Sequence, residues 1–133
     1  MKRIALVLAV FVSLMLPSTP CFAEWFKVTE SVTGVTTYID TKIRKHDGHI
    51  YYWFLEDHLK TQNCSICEGS AKTYYEADCG KFKYRWLKYL TYEQPMGEGR
   101  PSYRSHNDKL EWQYPVPDTP KAVLLEAACD RAK

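Results

Sequence analysis

Cys64 and Cys67 stand two residues apart in the stretch "QNCSICEGS" at positions 62–70. A C-x-x-C pair has three established chemistries. It serves as an exchanging dithiol when a helix N-terminus lowers the first thiol's pKa. It forms half of a zinc site when two further ligands converge on it. It attaches haem covalently when histidine follows the second cysteine. Glu68 follows Cys67, which removes the haem reading. His58 is the nearest third zinc ligand, and no second C-x-x-C occurs. The pair lies in a polar loop between two strand-like segments rather than at the start of a helix, so the dithiol lacks its usual electrostatic support. The leading reading is a local disulfide clasp, with a thiol-disulfide redox protein using Cys64 and Cys67 as the alternative. Elsewhere, His46 and His49 flank Asp47-Gly48 and read as solvated turn residues rather than metal ligands. No Ser-His-Asp arrangement, phosphate-binding loop or metal cluster is legible, so neither a catalytic residue nor a cofactor is expected.

The compartment decides what the cysteines do. The chain opens with Lys2 and Arg3, an apolar run from Ile4, a Pro17 break and "CFA" at positions 21–23. This is the pattern of a cleavable secretory signal over residues 1–23, with the mature domain at residues 24–133. The apolar run is shorter than the ~20 residues of a membrane span. Ser18, Thr19 and Pro20 precede Cys21, which argues against lipidation there. Cleavage leaves Cys64, Cys67, Cys79 and Cys129, an even set in an oxidising compartment, with three pairings formally open. The leader also takes two of the 18 basic residues, leaving 16 against 16 acidic ones. A neutral domain gives no charge argument for nucleic acid or an anionic membrane as partner.

The elements that must position these residues are mostly strands. "EWFKVTE", "GVTTYID" and "HIYYWFLED" are alternating, β-branched or aromatic segments, and Asp47-Gly48 marks a hairpin. "SAKTYYEADC" and "KFKYRWLKYLTY" follow. A tight turn at Cys79-Gly80 would pair Asp78 with Lys81 and Glu76 with Lys83. It would also set Ala77 against Phe82, Tyr75 against Tyr84 and Thr73 against Trp86 on the other face. In that register acidic neighbours neutralise two of the three charges in the row Lys81, Lys83 and Arg85. The phase of alternation changes at Leu87, which predicts a bulge. Residues 94–110 read as a loop punctuated by glycine and proline, followed by a last strand at residues 111–114. The helix comes at the end, in "PVPDTPKAVLLEAACDRAK": Thr119 caps it, Pro120 opens it, and Leu125 and Cys129 share a face with Ala122 and Ala128 beside them.

Taken in order, "TYIDTKIRK", the Trp53 strand, "YYEADC", "YEQPMGEG", "EWQYPVPDTP" and "LLEAAC" resemble the surface-adhesin protein E domain of bacterial secreted proteins, from Trp25 to Cys129. The resemblance implies an α+β, mainly β fold: a single curved antiparallel sheet of about six strands, with one C-terminal helix on its concave face. It also implies a disulfide tether between Cys79 and Cys129, which leaves Cys64 and Cys67 to clasp their own loop. The founding protein of that family is an outer-membrane lipoprotein that binds host matrix and serum proteins and dimerises. The expectation for this chain is an exported, non-enzymatic binding module of the cell envelope, periplasmic or at the surface. A host or envelope protein is the expected partner, and homodimerisation or a structural envelope role is the further expectation. No ligand-binding residue transfers from the family position by position.

Overall fold

The computed structural model describes residues 24–58 and 69–133. The expected leader, and the clasp at Cys64 and Cys67, lie outside the described residues. Among the described residues seven strands, β1 (Trp25–Glu30), β2 (Thr36–Asp40), β3 (Arg44–His46), β4 (His49–Asp57), β5 (Ser70–Asp78), β6 (Lys83–Tyr92) and β7 (Tyr103–His106), precede one α-helix, α1 (Pro120–Arg131). The strands form one antiparallel sheet in the order β1-β2-β4-β5-β6-β7, with β3 beside β4.

The β3–β4 hairpin closes where the sequence asks it to. His46 pairs with His49 across Asp47-Gly48, and both turn residues have positive φ, at 50° and 77°. A two-residue turn of this hand matches the twist of its strands, and glycine removes the steric cost at its position.

α1 lies on one face of the sheet. Ile50, Tyr52 and Phe54 of β4, Tyr75 and Ala77 of β5 and Tyr84 of β6 form the core with Ile39 and the helix residues Leu124, Leu125 and Ala128. Leu125 is only 1% exposed, and burying such a side chain contributes roughly 2–3 kcal/mol. Ala122 and Ala128 are buried as well, and these small side chains let the helix axis approach the sheet. Thr119 caps α1 by accepting a hydrogen bond from the Ala122 N–H, with Pro120 in the first turn. A disulfide joins Cys79, just past β5, to Cys129 in the last turns of α1.

The opposite face carries a smaller cluster built on "YEQPMGEG". The Ser70 hydroxyl donates to the Gln94 carbonyl (2.6 Å) and accepts from the Gly97 N–H (2.8 Å), while Lys72 Nζ donates to the Gly97 carbonyl (3.0 Å). The Lys72 ammonium sits over Trp25 and Tyr92, 5.5 and 4.9 Å from the ring centroids. Burial pulls its pKa below the usual lysine value. Gly97 has φ of 65°, and a Cβ there would strike the Lys72 side chain. A Cβ at Gly69 would strike the Glu93 backbone. Neither position accepts a larger residue without displacing its neighbour.

Several expectations need correction. The β5–β6 turn is four residues long rather than two, so Asp78 pairs with Lys83, Glu76 with Arg85, Ala77 with Tyr84 and Tyr75 with Trp86. The Asp78 carboxylate accepts the Lys81 N–H at 3.0 Å and so folds residues 79–82 into the turn. Phe82 thereby leaves the ladder, with φ of 49° and 40% exposure. A shift of two residues preserves the faces, so acids still oppose bases and apolar residues still oppose apolar ones. Residues 111–114 form no strand: Gln113 makes an isolated bridge to Tyr84, and the last strand is β7, within the expected loop. The bulge stands where the phase change places it. Tyr74 pairs with Lys88 and Tyr75 with Trp86, leaving Leu87 as the extra residue.

Candidate functional site

The helix covers only part of its sheet face, and the remainder is an open cleft of about 380 Å³. Its floor comes from Thr73 and Tyr75 of β5 and Trp86 and Tyr89 of β6, its far wall from Tyr103 and Ser105 of β7, and Glu56 and Lys121 close the other side.

The bulge builds this floor. Trp86 and Tyr89 are three residues apart, and in a regular strand they would point to opposite faces. With Leu87 unpaired, Tyr89 lies opposite Thr73 and Trp86 opposite Tyr75, so both rings join the helix-covered face. Ser105 pairs with Tyr89 and Tyr103 with Thr91, which brings β7 to the same face. Tyr103 is 56% exposed.

Lys121 marks the boundary between covered and open halves. Its ammonium donates to the Tyr75 hydroxyl at 2.7 Å and lies 5.2 Å from the Phe54 ring centroid and 5.1 Å from that of Tyr75. These contacts offset the unfavourable position of a cation in the first turn of a helix. Below it Tyr52 is 3% exposed, and burial raises its phenol far above the ordinary tyrosine pKa. The cleft presents aromatic edges, hydroxyls and one charge of each sign, a set suited to recognition of a polypeptide surface.

On the opposite face, Glu76 is a polar hub. It is 4% exposed, and its carboxylate accepts from Arg85 Nε and from His49 Nδ1, each at 2.7 Å, and from the Tyr51 hydroxyl. Burial pushes its pKa up, but the hydrogen bonds from Arg85, His49 and Tyr51 outweigh this and hold it below the usual glutamate value. Trp112 packs over the hub, with its ring centroid 5.3 Å from that of His49, 4.3 Å from Lys83 Nζ and 4.4 Å from Arg85 Cζ.

The expected site residues fall in different places. Cys79 and Cys129 are bonded to each other and tether the helix; Cys64 and Cys67 lie outside the described residues. His46 is a solvated turn residue, its side chain 74% exposed. His49 is not, because it is drawn into the Glu76 hub. In the expected basic row, Arg85 is bound by Glu76 and both Lys83 and Arg85 cover Trp112. Among the described residues no group of three His, Cys, Asp or Glu side chains is placed to hold a metal, and no helix is long and apolar enough to cross a membrane. Sequence reasoning missed the cleft. The phase change at Leu87 was the signal for it, once combined with the true pairing of β5 and β6.

The family model for surface-adhesin protein E matches residues 25–130. Crystal form II of Haemophilus influenzae protein E superposes with a TM-score of 0.55 at 16% identity, covering 90% of this chain and 98% of that one. Protein E from non-typeable Haemophilus influenzae gives 0.53 at 15% identity, covering 87% of this chain and 82% of that one. Comparison with curated protein sequences returns no match. The two structures share the fold, and the family model covers nearly every described residue: the chain belongs to the surface-adhesin protein E family.

Proposed function

We propose that this protein is an exported, non-enzymatic binding module of the bacterial cell envelope, and that the open cleft beside α1 receives a segment of a protein partner. The observation that carries the reading is the incomplete cover of the sheet. α1 buries Tyr52, Phe54 and Tyr84 but leaves Trp86, Tyr89 and Tyr103 lining an open cleft. Aromatic side chains anchored on a rigid sheet bring large contact area at low entropic cost, the composition of energetic centres in protein interfaces. Family membership supports export and an adhesive role.

The test is a binding comparison on immobilised host matrix and serum proteins, using the wild type and a Tyr89→Ala/Tyr103→Ala variant. Loss of both rings is expected to weaken binding at least tenfold with little change in melting temperature, because Tyr103 is exposed and Tyr89 half-buried. Unchanged binding by a folded variant would move the interface elsewhere. Insulin-reduction turnover that disappears in Cys64→Ser would instead establish the redox alternative.

A further inference from the structure

The sheet face turned away from α1 carries a second groove of about 360 Å³, unconnected with the cleft. Its floor is aromatic: Tyr51 and Trp53 of β4 and Tyr74 of β5, with Trp53 and Tyr74 centroids 4.8 Å apart and Tyr51 and Tyr74 centroids 6.3 Å apart. Its rim is cationic: Lys42 and Arg44 on one side, Lys88 on the other. We propose that this groove binds a sulfated polysaccharide, with the rings packing on pyranose faces and the three cations holding sulfate groups.

The cations are available. Lys42, Arg44 and Lys88 are exposed, and among the described residues none of the three stands in an ion pair. The one acid in the lining, Asp40, has an oxygen already accepting the Lys42 backbone N–H at 2.8 Å. The mature chain is neutral overall, so the positive character of this groove arises from how the fold segregates charge. Arg85, on the same face, is consumed by Glu76. Lys88 is not, because the bulge at Leu87 sets it opposite Tyr74 on one side and His106 on the other. Trp53, Tyr74, Lys88 and His106 thus form one row across four strands, at about 4.8 Å per strand.

The floor is fixed before any ligand arrives. Tyr51 is held through its hydroxyl by Glu76, itself held by Arg85 and His49, so little ordering entropy remains to oppose binding. The ring planes tilt by 33° and 35° against Tyr74. Single-stranded nucleic acid would use a succession of open ring faces for its planar bases. Half-buried rings leaning into one another suit instead the puckered face of a pyranose, with charge-assisted hydrogen bonds from the rim to its sulfates.

The experiment measures binding of the purified exported protein to size-defined heparin oligosaccharides, the same oligosaccharides after desulfation, and single-stranded DNA of matched charge. The sulfated probe is expected to bind, with affinity falling steeply as salt rises, and desulfation to weaken it at least tenfold. A Lys42→Glu/Arg44→Glu/Lys88→Glu variant should lose binding at least tenfold. A control reversing Lys81, Lys109 and Lys133 should keep it, as should Tyr89→Ala/Tyr103→Ala, which separates this groove from the cleft. Equal binding by the two triple variants, indifference to desulfation, or preference for the DNA would overturn the proposal.

Discussion

At the scale of single residues, Glu76 concentrates the electrostatics of the sheet. Its native carboxyl is held below the ordinary value of 4.5, so between the two values the unfolded chain binds more protons than the folded one. The stabilisation is therefore complete above about pH 4.5 and is lost as pH falls through the native value. Glu76→Gln is expected to be less stable than wild type at neutral pH, and the gap should close on acidification below about pH 4.5. Urea unfolding of both proteins at several pH values between 3 and 7 checks this; a gap that stays constant would remove Glu76 from the acid response. The sequence announced an acid in a strand with bases opposite. It could not announce His49 and Tyr51 as further partners, because they come from β4 and meet Glu76 only when β4 and β5 pair.

At the scale of elements, the β6 bulge matters most. One unpaired residue turns Tyr89 to the cleft and Lys88 to the opposite groove, so both candidate surfaces depend on it. What matters is that Leu87 stays out of the ladder, because pairing it would turn the rest of β6 to the wrong faces; its side chain matters less. Leu87→Ala, at a half-buried site, is expected to cost about 1–2 kcal/mol. Deleting Leu87 joins Trp86 directly to Lys88 and keeps Tyr75 opposite Trp86, Tyr74 opposite Lys88 and Thr73 opposite Tyr89, so both faces survive and the cost is expected to stay within about 1–2 kcal/mol. Chemical denaturation of the two variants checks this, and a deletion costing more than about 4 kcal/mol would mean that the bulged backbone itself holds the sheet together. The bulge was legible as a broken alternation. The two-residue register error beside it arose because turn length is set by Asp78 closing on Lys81, while cross-strand charge and burial patterns repeat every two residues and fit either pairing.

At the scale of the whole molecule, the Cys79–Cys129 bond ties the end of the chain to the middle of the sheet across 50 residues. A domain of this size holds a modest core, and a loop of that length makes the cross-link worth about 4 kcal/mol on a chain-entropy estimate. Cys79→Ser/Cys129→Ser is expected to lose about 2–5 kcal/mol, or roughly 10–30 °C in melting temperature, read by calorimetry. A smaller loss would assign the helix's attachment to Leu124, Leu125 and Ala128 alone. The sequence by itself determined the segments of β1, β2, β4, β5 and β6, the Asp47-Gly48 hairpin, the Thr119-capped helix and the family, because each rests on local propensity or on motifs read in order. The tertiary structure alone decided which residues the helix leaves uncovered, where β7 returns, and which cations find an acid. Those outcomes depend on contacts between segments far apart in the chain, where several pairings satisfy the same local pattern and only closure of the whole sheet selects among them.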